Sequence, residues 1–147
     1  MENTRYKFRA WNKRIAIMEE DFYIHSNGSQ YNLAERNYNT PHIEIEKAEL
    51  EIMQYTGLED KNGVQIYEGD ILKCTSKIYT NLGLTETGEY DKTIKQVIWK
   101  DDSWGTRVIS SNLTSKGAEK SGLVITTKYA EIIGNIYENP ELLEEAK

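Results

Sequence analysis

The fold of the middle of the chain is decided by the stretch Met53-Gln-Tyr-Thr-Gly-Leu-Glu-Asp-Lys-Asn-Gly63, which is followed by Ile66-Tyr-Glu-Gly-Asp-Ile71. Apolar and polar residues alternate at the start of this stretch, as is typical of a strand with one buried face. Asn62-Gly63 favours a tight turn, and Gly69 between two acidic residues supplies a backbone position that other residues would strain. The stretch therefore predicts a hairpin followed by a sharp corner.

The N-terminal part predicts two further hairpins. Residues 5–18 alternate, with Tyr6, Phe8 and Ala10 on one face, and they can turn near residue 12. Asn27-Gly28 has the residue types of a type I′ turn and lies between two short apolar segments, residues 22–25 and 30–33. Residues 34–41 are polar and predict a loop.

The segment that leads into the central stretch has two interpretations. Residues 42–49 alternate as strands do, but Thr40 and Pro41 before them would also suit the start of a helix. We expect a strand at residues 50–55 and leave residues 42–49 open between strand and helix.

The C-terminal half predicts several strands separated by loops. Apolar segments predict strands at residues 64–67, 71–74, 96–99, 104–109, 123–127 and 130–137. Residues 79–91 and 110–122 have the composition of loops. Asn139-Pro140 predicts the start of a short helix over residues 141–146.

Composition supports a mostly-β fold. Ile, Val and Thr number 32, whereas Leu and Ala number 17, and β-branched residues pack well on a pleated surface. Many short strands with little helix predict a sandwich or small barrel. The 147 residues form one domain in this interpretation, with subdomains at residues 1–49 (hairpins) and 50–147 (a barrel-like unit with the C-terminal helix).

Charge and cysteine content restrict the classes of partner and compartment. The net charge is −6, and the 18 Lys and Arg residues form no long run, so nucleic acid is a disfavoured partner. The single cysteine, Cys74, cannot form an internal disulfide, and it suits a core position in a cytoplasmic protein. The N-terminus lacks the apolar region of a signal peptide, and no membrane partner is expected.

Four segments resemble the YopX family of bacteriophage and prophage proteins. They are Lys7-Phe-Arg-Ala-Trp11, the two parts of the central stretch, and Ile133-Gly-Asn-Ile-Tyr-Glu-Asn-Pro-Glu-Leu142, all in family order. The resemblance departs from the family pattern at Asn12, where an acidic residue is usual. It implies a phage or prophage origin, a β-rich fold with an SH3-like or barrel-like portion, and no catalytic residues that can be carried over.

Motifs for catalysis or for cofactor and metal binding are weak. Glu68 and Asp70 flank the predicted corner and would more often accept backbone hydrogen bonds than hold Mg²⁺. His25 and His42 have no partner at metal-ligand spacing, and phosphate-binding or nucleophile motifs are missing. The sequence therefore predicts no enzyme, no cofactor and no metal site.

Aromatic residues offer the best candidates for a binding surface. Trp11 and Trp104 lie next to predicted turns, Tyr67 lies beside the corner, and we predict that these three contribute to an interaction surface. Trp99 ends an apolar run and is predicted to lie in the core.

The sequence thus favours a non-enzymatic interaction module that acts in the cytoplasm of a bacterial host. Its partner would be a host or phage protein, and pairing of edge strands could also join copies into a homo-oligomer. The alternative is an accessory protein that binds single-stranded nucleic acid. Aromatic residues would stack on the bases, and a basic N-terminal hairpin containing Arg5, Lys7, Arg9, Lys13 and Arg14 would contact the phosphates.

Overall fold

A computed structural model describes residues 6–20, 22–24, 26–27, 30–32, 43–45, 50–80, 82–83 and 85–144. Strands dominate this part of the chain. They are β1 (Phe8–Asn12), β2 (Ile17–Glu19), β3 (Phe22–Ile24), β4 (Gln30–Asn32), β5 (Ile43–Ile45), β6 (Leu50–Glu59), β7 (Gln65–Tyr67), β8 (Asp70–Thr80), β9 (Thr85–Lys100), β10 (Ser103–Ser111), β11 (Glu119–Ser121) and β12 (Ala130–Asn135). A single helical turn, α1 (Val124–Thr127), and a 3₁₀ turn at Pro140–Leu143 complete the described elements. The predicted mostly-β fold is confirmed.

The chain divides into two compact units between Gln54 and Tyr55, within strand β6. In the first unit, β1 pairs antiparallel with β2 and with the first half of β6. Ala10 and Leu50 are buried there, and Phe22 and Ile52 pack against them. The hairpin predicted over residues 5–18 is therefore present.

The second N-terminal hairpin is also present. Strands β3 and β4 pair antiparallel, and β4 pairs in turn with β5. Residues 43–45 are thus strand, which settles that part of the open segment, whereas residues 42 and 46–49 lie outside the described residues. The predicted loop at residues 34–41 lies outside them too.

A curled half-barrel sheet forms the core of the second unit. Its strands run in the order β11-β10-β9-β8-β12, and every neighbouring pair is antiparallel. The residues buried together from this sheet and the segments near it are Ile66, Leu72, Val97, Leu123 and Ala130. Strands β7, β8, β9 and β12 supply four of these residues, and Leu123 lies directly before α1.

The turn at residues 60–63 ties the central hairpin to the last strand of the sheet. Asp60 Oδ1 accepts hydrogen bonds from the backbone N–H groups of Asn62 at 2.8 Å and Val64 at 3.0 Å. Its Oδ2 accepts a third from the N–H of Ile132 in β12 at 3.1 Å. One buried carboxylate therefore closes the turn and covers the outer edge of β12.

The loop predicted at residues 79–91 is wrong for residues 79–80 and 85–91, which are strand, whereas residues 82–83 form a turn. Strands β8 and β9 continue through this region as a two-stranded ladder that pairs as far as Thr80 and Thr85. The sequence carries no strand signal here because nearly all of the described residues of the segment are exposed, on both faces of the ladder. Such a strand lacks the apolar alternation by which a half-buried strand is recognised.

Three predictions near the C-terminus also need correction. The loop predicted at residues 110–122 contains the end of β10 and the whole of β11, and residues 124–127 form the helical turn α1 rather than a strand. The predicted helix over residues 141–146 is a 3₁₀ turn that begins at Pro140, as the Asn-Pro signal requires, and ends at Leu143.

The described residues contain no helix that is both long enough and apolar enough to cross a membrane.

Candidate functional site

The acidic corner predicted at residues 68–70 is a structural turn. Asp70 is 1% exposed, and its Oδ2 accepts a hydrogen bond from the Tyr67 N–H at 2.8 Å. Gly69 has a φ of +83°, its N–H donates to the Val97 carbonyl, and its own carbonyl accepts from Ile136. The Asp70 carboxylate therefore acts on the backbone, as the turn interpretation predicted. Within the described part of the chain, no three His, Cys, Asp or Glu side chains are grouped as metal ligands would be.

Tyr67 lies in the interior rather than on a surface. Only 9% of the residue is exposed, and its ring packs against that of Tyr55 with the centroids 5.5 Å apart. These two tyrosines oppose each other in the β6–β7 pair. The prediction that Tyr67 belongs to an interaction surface does not fit this burial.

Trp11 and Trp104 lie in different units of the chain. Trp11 is half-buried in β1, opposite Met18 on one side and Glu51 on the other. Trp104 is half-buried in β10 and packs against the core of the half-barrel. Both indoles are therefore less exposed than their positions beside predicted turns suggested.

The most exposed indole belongs to Trp99, the tryptophan that was predicted to be core. Trp99 is 53% exposed, and its ring meets that of Trp104 edge to face, with centroids 4.8 Å apart and planes at 79°. The two residues are directly opposite in the β9–β10 hairpin, so both side chains lie on the same face of the sheet. The partly buried ring of Trp104 therefore contacts and supports the exposed ring of Trp99.

A tight turn follows the paired tryptophans of this hairpin. Lys100 pairs with Ser103, so only Asp101 and Asp102 form the loop, and Asp101 adopts a φ of +55°. Trp99 and Trp104 are therefore both one pair away from the turn, and it is Trp104 that packs against the core of the half-barrel. An apolar run before a turn predicts a strand, but it does not say where the core ends.

Several charged side chains lie near this end of the sheet, and one carboxylate binds two cations. Glu119 of β11 accepts hydrogen bonds from Arg107 at 2.8 Å and from Lys100 at 3.1 Å, and these bonds, in that order, lower the pKa of its carboxyl group. The two cations are thus engaged by one carboxylate. Asp101 and Asp102 are exposed in the turn, so two acidic residues lie within three positions of Trp99 in the chain.

The basic hairpin proposed as a nucleic-acid contact is partly neutralised. Lys13 forms an ion pair with Glu51 on the neighbouring strand β6. Arg5 lies outside the described residues, as do His25 and His42. The hairpin is therefore a weaker electrostatic site than its sequence suggested.

Cys74 is half-buried beside the core of the half-barrel, in agreement with its predicted core position. Burial raises the pKa of its thiol; Lys95 acts in the opposite direction and Asp91 in the same direction. A thiol with a raised pKa is a poor nucleophile at neutral pH. Cys74 is accordingly a packing residue.

Comparisons with known proteins agree with the fold. A family model described as YopX protein matches residues 7–144. The crystal structure of protein EF1440 from Enterococcus faecalis is similar, with a TM-score of 0.52 and 24% sequence identity, covering 93% of this chain and 96% of that one. At this identity the likeness supports the fold alone. No curated protein matches the chain.

Proposed function

The chain belongs to the YopX family, and we propose that it is a non-enzymatic protein-interaction module whose binding surface is centred on Trp99. The observation that carries this proposal is an indole that is half exposed yet held against a second, partly buried indole. In this proposal the protein acts in the cytoplasm of a bacterial host, and a host or phage protein is its partner.

A fixed, exposed tryptophan is well suited to anchor a protein partner. Tryptophan is enriched among the residues that contribute most to binding, because its large ring excludes water from a wide contact. The edge-to-face contact with Trp104 restricts the rotation of Trp99 before any partner arrives. Binding then costs less side-chain entropy than it would for a freely rotating ring.

The charges around Trp99 indicate the chemistry of the partner. Asp101 and Asp102 are exposed in the turn that closely follows Trp99 in the chain, and the whole chain carries a net charge of −6. Opposite charges on the partner would speed association and disfavour acidic competitors. We therefore expect a partner segment that presents an apolar side chain flanked by Lys or Arg.

The buried carboxylates support a non-enzymatic role. Asp60 and Asp70 both accept backbone N–H bonds that close turns. A carboxylate engaged in this way stabilises the fold and is poorly placed to exchange a proton with a substrate.

Capture from a bacterial extract with matched variants tests the proposal. Immobilised wild-type protein should retain proteins that Trp99→Ala loses, whereas Tyr129→Ala, which removes another ring that is 56% exposed, should retain them. Thermal unfolding of both variants would verify that each is folded. Equal retention by the wild type and Trp99→Ala would refute the proposal. Retention that is abolished by nuclease would favour the nucleic-acid alternative.

A further inference from the structure

Part of the β8–β9 ladder extends beyond the sheet as a two-stranded ribbon. Strand β12 pairs with β8 only as far as Cys74, and β10 pairs with β9 only as far as Thr93. Residues 75–80 and 85–92 therefore have a described strand on one side only, and we call them the outer ribbon. An isolated two-stranded ribbon is marginally stable in water.

The outer ribbon exposes large side chains on one face. Lys77 opposes Tyr90 and Tyr79 opposes Glu86, so these four side chains share that face. Tyr79 is 47% exposed and Tyr90 is 52% exposed. Lys77 also bonds diagonally to Glu86 at 2.8 Å. The face thus alternates aromatic and charged groups.

The two outer edges of the ribbon, beside which no further strand is described, differ in how well they resist pairing. The β9 edge carries three acidic residues, Glu86, Glu89 and Asp91, and it is bulged near Gly88, which has a φ of +80°. Acidic side chains and bulges are common protections against strand addition. The β8 edge, Thr75-Ser-Lys-Ile-Tyr-Thr80, has one lysine, no acidic residue and three residues of high β propensity in succession.

We infer that the β8 edge of the outer ribbon pairs antiparallel with the same edge of a second copy of this chain. The two-fold axis would pass beside Ile78, so that Ile78 of each copy opposes Ile78 of the other. This inference extends the proposed function by naming a second copy as one partner, and it uses a different surface from Trp99.

Charge complementarity selects this register. With Ile78 at the axis, Lys77 of each copy lies directly opposite Tyr79 of the other. Each row across the joined sheet then contains Tyr90, Lys77, the second copy's Tyr79 and its Glu86, so every lysine lies between two aromatic rings. No two like charges are directly opposite, whereas an axis beside Lys77 would set the two lysines face to face.

The backbone is oriented for the same register. The Ile78 carbonyl points into the hairpin, where it accepts a hydrogen bond from Thr87 Oγ1 at 3.0 Å. Because backbone groups alternate in direction along a strand, the N–H and C=O groups of Lys77 and Tyr79 point to the outer edge. These are the groups that the inferred register pairs, and Ile78 then occupies a non-hydrogen-bonded pair.

Cross-linking tests the register directly. In a Cys74→Ala background, Ile78→Cys should oxidise to a covalent dimer, since Cα atoms of a non-hydrogen-bonded pair are about 4.5 Å apart. Thr80→Cys is the control, because its two copies would lie about 13 Å apart along the strands. We expect Ile78→Cys to cross-link at least about tenfold faster, and equal rates would overturn the register.

Two substitutions at one position test the assembly itself. Tyr79→Glu would face Lys77 of the other copy and retain the dimer, whereas Tyr79→Lys would oppose that lysine and release 17.0 kDa monomers. The stability of the single folded chain should rank the two variants the other way round. Residue 79 opposes Glu86 within the chain, so lysine is more favourable there than glutamate. Mass measurement by light scattering would overturn the inference if the wild type is monomeric at high concentration or if Tyr79→Lys is the more dimeric variant.

Separate variants distinguish assembly through the β8 edge from capture of other proteins through Trp99. Tyr79→Lys should abolish assembly and leave the Trp99-dependent capture of other proteins unchanged. Trp99→Ala should abolish capture and leave the cross-linking of Ile78→Cys unchanged.

Discussion

The side chain of Asn12 donates a hydrogen bond from Nδ2 to Oε1 of Glu19 at 2.9 Å, and both residues are buried. Asn12 also organises the turn of its hairpin, since its Oδ1 accepts from the Arg14 N–H and its carbonyl accepts from the Ala16 N–H. The amide thus donates to a carboxylate and accepts from the backbone at the same time. This dual role gives a physical reason for an amide at residue 12.

Asn12→Asp should destabilise the protein in a pH-dependent manner. The new carboxylate would face Glu19 without a donor between them, and we expect a loss of about 1–3 kcal/mol in unfolding free energy at pH 7. The paired carboxyl groups would give up their last proton only at a raised pKa in the folded state. The loss should therefore be smallest below about pH 4 and should grow as the pH rises from there through the raised pKa. Urea unfolding at several pH values would measure this, and a loss independent of pH would contradict it.

Asp60→Asn should remove part of the acid sensitivity of the wild type. Burial by itself raises the pKa of Asp60, but hydrogen bonds from Ile132, Val64 and Asn62 outweigh it and hold the pKa below its ordinary value of 3.8. Ionised Asp60 thus stabilises the fold above about pH 4, and this contribution is lost as the pH falls through the lowered pKa.

The amide of Asp60→Asn can still accept hydrogen bonds in the turn, but its NH₂ group would face the Ile132 N–H donor. We expect the variant to lose about 1–3 kcal/mol of unfolding free energy relative to the wild type at pH 7, and this difference should become smaller below pH 4. Asp102→Asn, in an exposed turn, is the control and should change stability little. If the two variants behaved alike, the role assigned to Asp60 would be wrong.

Gly105→Ala should detach strand β11 from the sheet. A Cβ atom at this position would collide with the backbone carbonyl of Lys120, which cannot move without breaking the β10–β11 pairing. Overpacking of this kind costs about 1–3 kcal/mol. Hydrogen exchange should become faster at residues 119–121, and Ser110→Ala in the same strand should leave their exchange unchanged. Unaltered exchange in Gly105→Ala would show that the sheet adapts at that point.

The thiol of Cys74 should react slowly in the folded protein. Burial raises its pKa, so less thiolate is present at pH 8 than for an exposed cysteine, and access to the sulfur is also reduced. We expect labelling by a thiol-specific reagent to be at least about tenfold slower in buffer than in urea. Equal rates would mean that Cys74 is exposed in solution.

The turns were predictable because their causes are local. Asn62-Gly63 and the corner at Gly69 were each placed from residues that favour the required backbone angles. The hairpins on either side followed from alternation with a period of two. By contrast, the outer ribbon was missed, because neither of its faces lies against the core of the half-barrel and its side chains carry no such alternation.

The proposed binding surface was only partly predictable from the sequence. Tryptophan near a turn was recognised as a candidate, but the sequence assigned Trp99 to the core and Trp104 to the surface. Both lie beside the same two-residue turn, at paired positions. Their exposure depends on what packs over each ring, and Leu123 and the core around it lie far along the chain from Trp99.

The sequence by itself determined the family, the mostly-β class and the positions of most turns, because these depend on residue type and on spacing within a few residues. Tertiary structure alone decided which tryptophan is exposed, which carboxylates are engaged by backbone N–H groups and which strand edge remains open. Those properties depend on contacts between distant segments, such as Asp60 with Ile132. Local patterns do not contain that information, because burial is a property of the whole packed unit.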